Sequence, residues 1–285
     1  MKTDTPPSAY RPAVVTFVDI LGFRELVAMR SAGDIRRIID LVRRFGTPET
    51  AEDDGFETTR AVAFSDSIVR VRAFDTAYPS GAMFHELIDL VHMQAELVPY
   101  DVLVRGGVSV GQVHLDGDIV FGPGFTRAYD LESQFANFPR IVVGPEAFQA
   151  LRSDRRLVAD HHDVEDEILY QRNLLRRGDD GFWFVDYLYA AQFEVDEPEM
   201  YPRLLQDHRS LIIARANEAA PSSRVLQKHL WLARYHNSVC ERVGFEDQGI
   251  GRADIAALED LADTPAWAVR DEDFDEAEDG PPQDD

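Results

Sequence analysis

The sequence predicts an α+β fold with a helical C-terminal extension. Three observations carry this. Short runs of apolar and β-branched residues alternate with segments of helical periodicity over roughly the first 190 residues. Strand signals stop after about residue 195, where apolar residues recur only at helical spacing. Hydrophobic residues make up 45% of the chain and charged residues 28%, a globular composition.

The elements follow in chain order. Residues 13–19 (AVVTFVD) are bounded by Pro12 and closed by Asp19, and read as a buried strand. After Gly22, residues Leu26, Val27, Ile35, Ile38, Ile39 and Val42 keep helical spacing. Residues 47–58 form a loop by composition. Strands over 61–64 and 68–72 flank the polar Ser65-Asp66-Ser67, whose residue types favour a tight turn. Met83, Leu87, Leu90, Val91 and Leu97 mark a second long helix. Residues 102–110 (VLVRGGVSV) are a strand, in which Gly106-Gly107 marks a bulge or a close backbone approach. Residues 112–121 form a hairpin about Asp116-Gly117, a type I′ signal. A helix over 123–136 starts at Pro123. A strand over 140–144, a helix over 145–151 and a last strand over 182–188 follow, then helices over 201–218, 223–242 and 253–261. The leading order of strand, helix, strand, strand, helix, strand is that of a ferredoxin-like or polymerase-palm domain. The expected organisation is a flexible start (1–10), an α+β domain (11–192), a helical extension (196–263) and a disordered acidic tail (264–285).

Charge narrows the function classes. The chain carries 52 acidic and 29 basic side chains, a net charge of -23, which argues against a nucleic-acid duplex as partner. Residues 271–285 hold nine acids and no base, and read as a solubilising end rather than an interaction tail. Only two of the basic residues are lysine, Lys2 and Lys228. The single Cys240 excludes a disulfide framework. The first ten residues have no apolar run and no stretch approaches a membrane span, so a cytoplasmic protein is expected, with no membrane partner.

Two acids hold special places. Asp19 ends the first strand before a glycine turn into a helix, and Asp66 sits in the hairpin turn between the next two strands. In a β-α-β-β sheet these carboxylates can converge at one rim and hold divalent ions, with phosphate oxygens filling other positions. The Leu21, Gly22 and Phe23 amides open the helix beside them and offer donors to a phosphate. Asp at strand ends and turns is also common for structural reasons, and Ser65 and Ser67 are equally explained by turn hydrogen bonds or by contact with metal-bound groups.

These segments resemble a known family. Val18-Asp19-Ile20-Leu21-Gly22-Phe23 is similar to the first metal motif of class III nucleotidyl cyclases, and Phe64-Ser65-Asp66-Ser67 to their hairpin metal motif, where a Gly-Asp pair is more usual. Arg105-Gly106-Gly107 through Gly111 resembles the following Arg-x-Gly-x-x-x-Gly strand. Phe121-Gly122-Pro123 and Asp130-Leu131-Glu132 resemble the segment ending in Arg-Leu-Glu. The motifs come in family order over about residues 13–145. The resemblance implies that 11–192 is a cyclase domain, that Asp19, Asp66 and the Ile20 carbonyl bind two Mn²⁺ or Mg²⁺ ions, and that the enzyme is a homodimer with sites between chains.

The departures are as informative. The family's purine-selecting lysine aligns with Val62, its acidic partner with Pro123, and its transition-state Asn and Arg with Thr126 and Asp130. No lysine lies between Lys2 and Lys228, so none in this domain can select a purine or contact a triphosphate. Either the domain is a catalytically silent, nucleotide-sensing relative, or it serves another base with other residues. The overall pattern is most similar to the bacterial pyrimidine cyclases of Pycsar antiphage systems. That implies cyclisation of UTP or CTP, with release of diphosphate, and a separate effector protein activated by the cyclic nucleotide; of the two, UTP is taken as the expected substrate. Arginine must then replace lysine, and its fork suits phosphate. Arg127 is the candidate for the α-phosphate, Arg176 and Arg177 for the triphosphate, with Arg105 facing either the site or a rim salt bridge, and Thr126 nearby. Tyr129 reads as core with Phe125, and His161-His162-Asp163 as a solvated loop.

Overall fold

β1 (Arg11–Ile20) is the hub of the sheet. In this computed structural model the described residues are 10–44, 60–74, 81–195, 197–221 and 223–263. Residues 1–9, the loop over 47–58 and the tail over 264–285 lie outside them. After β1 come α1 (Phe23–Met29) and α2 (Ala32–Arg44). They are two helices because Ser31 restarts the chain: its hydroxyl accepts the Asp34 N–H (3.2 Å), satisfying one donor that a helix start leaves open.

β2 (Arg60–Phe64) and β3 (Ser67–Ala73) form the expected hairpin, α3 (Ala82–Leu97) crosses back, and β4 (Val104–Asp116) returns beside β1. The strand order β2-β3-β1-β4 is antiparallel throughout, which is the ferredoxin-like arrangement. β4 is one continuous strand that hairpins into β5 (Ile119–Phe121). Of the two central turn residues only Gly117 has positive φ, 60°. That is the type II′ pattern, not the type I′ turn expected, which needs positive φ at both.

α4 (Pro123–Asp130) is shorter than the predicted 123–136 helix. The chain widens into a π-helical turn over Leu131–Phe135, closed by the Ala136 N–H donating to the Leu131 carbonyl (3.0 Å). β6 (Ile141–Val143), α5 (Pro145–Ser153), α6 (Val164–Gln171), β7 (Leu175–Arg177), β8 (Trp183–Val185) and α7 (Tyr187–Ala190) extend the sheet to β2-β3-β1-β4-β6-β8-β7. The expected 182–188 strand is thus only three residues long, and its tail turns helical. The expected loop at residue 163 is a helix start, since Asp163 Oδ1 accepts the Asp166 N–H (2.8 Å).

The two sheet faces are covered differently. Ala13, Val15 and Phe17 pack with Val69, Val71 and Val113 under Ala128 of α4. Gly107 is the close approach that the glycine pair announced: a Cβ there would lie 2.4 Å from the Ala128 carbonyl oxygen and 2.5 Å from Leu131 Cβ. Tyr129, read as core, is 47% exposed and meets Phe17 edge-on at 5.3 Å. The opposite face buries charge. Glu86 of α3 accepts Arg70 Nε (2.7 Å), Arg72 Nε (3.3 Å) and the Thr16 hydroxyl (2.8 Å), with Arg70 and Glu86 both inaccessible to solvent.

By internal contacts the chain forms two units, one up to His208 and one from Arg209. α8 (Met200–Glu218) spans that boundary, and α9 (Arg224–Val243) and α10 (Arg252–Asp263) belong to the second unit. There Ala216, Leu226, Leu230 and Leu258 make a small core. Ser223 caps α9 by accepting the Leu226 N–H (3.1 Å), and Gly244 ends it at φ 78°.

Candidate active site

The rim at the end of β1 is built by strand pairing. Asp19 lies opposite Ser67 of β3 on one side and Arg105 of β4 on the other. The Ile20 N–H donates to the Asp66 carbonyl (3.0 Å), which ties the hairpin turn to the end of β1. The sheet therefore places the Asp66 turn next to Ile20 and Asp19 in the backbone. Ser65, beside Asp66, has φ 60°, left-handed backbone that costs a non-glycine residue about 1–2 kcal/mol. This is the position where the cyclase motif more often has glycine, and strain of this kind collects at functional turns.

Arg105 dominates the electrostatics of the rim. Its Nε donates to Asp19 Oδ2 (3.1 Å) and lies 2.7 Å from Glu132 Oε1, the latter outside hydrogen-bond alignment. Asp19 is 18% exposed and Glu132 only 4%. One guanidinium thus compensates two carboxylates that would otherwise repel. Glu132, in the turn after α4, was not singled out from the sequence. Its motif was visible, but its partner depends on register.

The other candidates are placed as follows. The Leu21 N–H is taken by the Leu103 carbonyl (2.9 Å), so it is not a donor for phosphate, contrary to expectation. Gly22 has φ 69° and opens α1 next to it, followed by Phe23. Thr126 and Arg127 lie on α4, Thr126 exposed. Arg127 is already paired, with Nε 3.0 Å and a terminal nitrogen 3.4 Å from the two oxygens of Glu146 on α5. Arg176 and Arg177 are on β7, the far edge of the sheet. Four strand spacings separate β7 from β1, roughly 19 Å, so within one chain these arginines do not share the Asp19 rim, contrary to expectation.

Two hard carboxylate donors beside a backbone turn fit a divalent ion of the Mg²⁺ or Mn²⁺ class. Among the described residues no group of three or more His, Cys, Asp or Glu side chains converges to hold a metal. An ion here would need further oxygens from backbone, water or phosphate, and Asp19 would have to exchange its Arg105 contact for it. Among the described residues no helix is long and apolar enough to cross a membrane.

No family model and no curated protein matches the chain. Solved structures that overlap it include the guanylyl cyclase Cya2, at 12% identity and a TM-score of 0.35, covering 62% of this chain and 93% of that one. Another is a bacterial light-regulated adenylyl cyclase, at 11% identity and a TM-score of 0.34, covering 57% of each chain. This chain thus spans little more than half of the second structure. At these identities and TM-scores the overlaps transfer no activity to this chain.

Proposed function

We propose that this protein is a metal-dependent nucleotidyl cyclase of the class III type, acting on a pyrimidine nucleoside triphosphate, UTP before CTP. The observation that carries it is the Asp19–Ile20–Asp66 rim. One backbone hydrogen bond, from the Ile20 N–H to the Asp66 carbonyl, ties the hairpin turn that carries Asp66 to the end of β1 beside Asp19, in the β2-β3-β1-β4 sheet, with strain stored at Ser65. The pyrimidine reading rests on the replaced purine-selecting positions. Val62 is an apolar side chain only 8% exposed, and Pro123 has neither a side-chain polar group nor a backbone N–H. The product would be a second messenger for a separate effector protein in antiphage defence, in keeping with the motif resemblance.

The reaction is an internal displacement. The ribose 3′-oxygen forms a bond to the α-phosphorus, the bond from that phosphorus to the bridging oxygen of the β-phosphate breaks, the hydroxyl proton passes to solvent water, and diphosphate departs with the bridging oxygen. Bound divalent ions supply charge neutralisation and a lowered hydroxyl pKa. Asp19 and Asp66 would hold those ions, and Arg105 would keep Glu132 compensated if Asp19 exchanged its arginine contact for one. Arg127 reaches the α-phosphate by exchanging Glu146 for it. Arg176 and Arg177, on β7, take no part at the Asp19 rim of their own chain, and a homodimer with sites between chains follows from the motif resemblance alone.

The test is incubation with each of the four NTPs and Mn²⁺, with products separated by chromatography. Cyclic UMP, with or without cyclic CMP, is expected. Conversion of ATP or GTP alone would overturn the pyrimidine assignment. One observation favours a second reading, a silent nucleotide sensor: both Asp19 and Arg127 already have intramolecular partners. That reading predicts nucleotide-induced stabilisation with no turnover on prolonged incubation with metal.

A further inference from the structure

A groove of about 720 Å³ opens on the sheet face away from α4. Val143 and Trp183 are cross-strand partners, and Val143 is level with Val108 of β4. Gly107, one residue before Val108, faces α4, so Val108, Val143 and Trp183 face the other way. Asp19 shares the parity of Ala13, Val15 and Phe17, which lie under α4. The groove and the Asp19 rim are therefore on opposite faces of the sheet.

The chemistry of the groove is distinctive for so acidic a chain. Phe148 and Trp183 form an aromatic wall, with ring centroids 6.0 Å apart. Arg152 and Arg172 border it, and the Arg172 guanidinium lies 5.8 Å from the Trp183 ring centre. The carboxylate on its wall, Asp180, is neutralised by the buried Arg140. What remains is two cations beside two aromatic rings tilted 58° to each other, in a chain of net charge -23. The volume is that of a small-ligand site. Aromatic faces stack nucleobases, and guanidinium forks bind phosphate oxygens. The acidic remainder of the chain opposes a polyanionic strand but tolerates a single phosphate.

We propose that this groove binds a mononucleotide, with the base against Phe148 and Trp183 and the phosphate between Arg152 and Arg172. The site stands independently of whether the Asp19 rim turns nucleotide over. The test is calorimetric titration of the full chain in EDTA, so that no divalent ion serves the rim, with UMP, uridine, inorganic phosphate and a short oligouridylate. UMP is expected to bind saturably, with uridine and inorganic phosphate each at least about tenfold weaker, since each loses one of the two contacts. Arg152→Gln/Arg172→Gln should weaken UMP at least about tenfold, and Trp183→Ala by a comparable factor, while Asp19→Ala leaves it unchanged. Unchanged UMP affinity in the double arginine variant, or equal affinity for inorganic phosphate, overturns the proposal. Loss of binding in Asp19→Ala would reassign the ligand to the rim, and tighter binding of the oligouridylate would show a strand site instead.

Discussion

Replacing Glu86 by leucine should cost the first unit about 3–5 kcal/mol, the usual loss when one partner of a buried ion pair is removed. Glu86 is fully buried on α3 and is contacted by both nitrogens of the Arg70 fork (2.7 and 3.1 Å), by Arg72 (3.3 Å) and by Thr16 (2.8 Å). Without it, Arg70, itself fully buried, has Asp89 as its remaining carboxylate (3.0 Å), shared with Arg72. The titration of Glu86 points in the same direction. Burial pushes the Glu86 carboxyl up, but Arg70 and Arg72 more than offset this and hold it at about 2. Against an ordinary carboxylate that is worth about 3 kcal/mol. The sign follows from the depressed value: the contribution is present above the unfolded carboxylate range and is lost as pH falls towards 2. Asp89 acts oppositely, because burial raises it despite the two arginines, so its protonation in acid favours the fold. Urea unfolding at pH 7 measures the effect. Glu86→Leu alone should show the full loss, and substituting Arg70, Arg72 and Asp89 by apolar residues as well should recover much of it, since no buried charge is then stranded. A Glu86→Leu protein within about 1 kcal/mol of the parent would refute the reasoning. So would a quadruple variant no more stable than the single one.

Three further outcomes follow from the same geometry. Arg105→Ala should destabilise the metal-free protein by about 1–3 kcal/mol, because Asp19 and Glu132 lose their shared cation, and Mn²⁺ should raise its Tm by more than it raises the parent's; an equal Mn²⁺ shift would contradict the placement of an ion on Asp19. Ser65→Gly should keep stability within about 1 kcal/mol of the parent, whereas Ser65→Val should cost about 2 kcal/mol and weaken Mn²⁺ binding, as read by metal titration, because φ 60° forbids a β-branched residue. In the second unit, burial and then Arg215 and Lys228 lower His229 to about 4. It stays neutral in the fold but charges readily on unfolding, so its contribution is full above about pH 6.5 and is lost between there and 4; His229→Gln should flatten that part of the stability–pH curve.

The leading β-α-β-β-α-β order was legible because each element has a clean period and the Ser-Asp-Ser turn is short. The three-residue β7 and the charged helix α6 were not, since neither carries enough apolar residues to show a period. Asp19 and Asp66 could be paired from topology alone, as both sit at element ends. Arg105 was legible as a rim residue, in the site or in a salt bridge, but its joining of Asp19 to Glu132 was not, because that depends on the β1–β4 register and on the π-helical turn after α4. Nothing in the alternation of residues 68–72 marks Arg70 and Arg72 as buried, and only α3 packed over them makes that face interior. A signal did exist on α3: Glu86 sits beside Leu87 and one turn from Met83 and Leu90, within the apolar stripe. Arg176 and Arg177 were misplaced because sequence order does not reveal that β7 ends up at the far edge of the sheet.

The central claim is metal-dependent chemistry at Asp19 and Asp66. It is tested most directly by following cyclic nucleotide and diphosphate together from UTP and Mn²⁺, for the parent, Asp19→Ala and Asp66→Ala, each first shown to be folded by circular dichroism. The account predicts equal amounts of the two products from the parent, dependent on added metal, and at least about a thousandfold loss in each variant, the order of magnitude lost when a principal charge-stabilising group is removed. Turnover within a few-fold of the parent in either folded variant would contradict it.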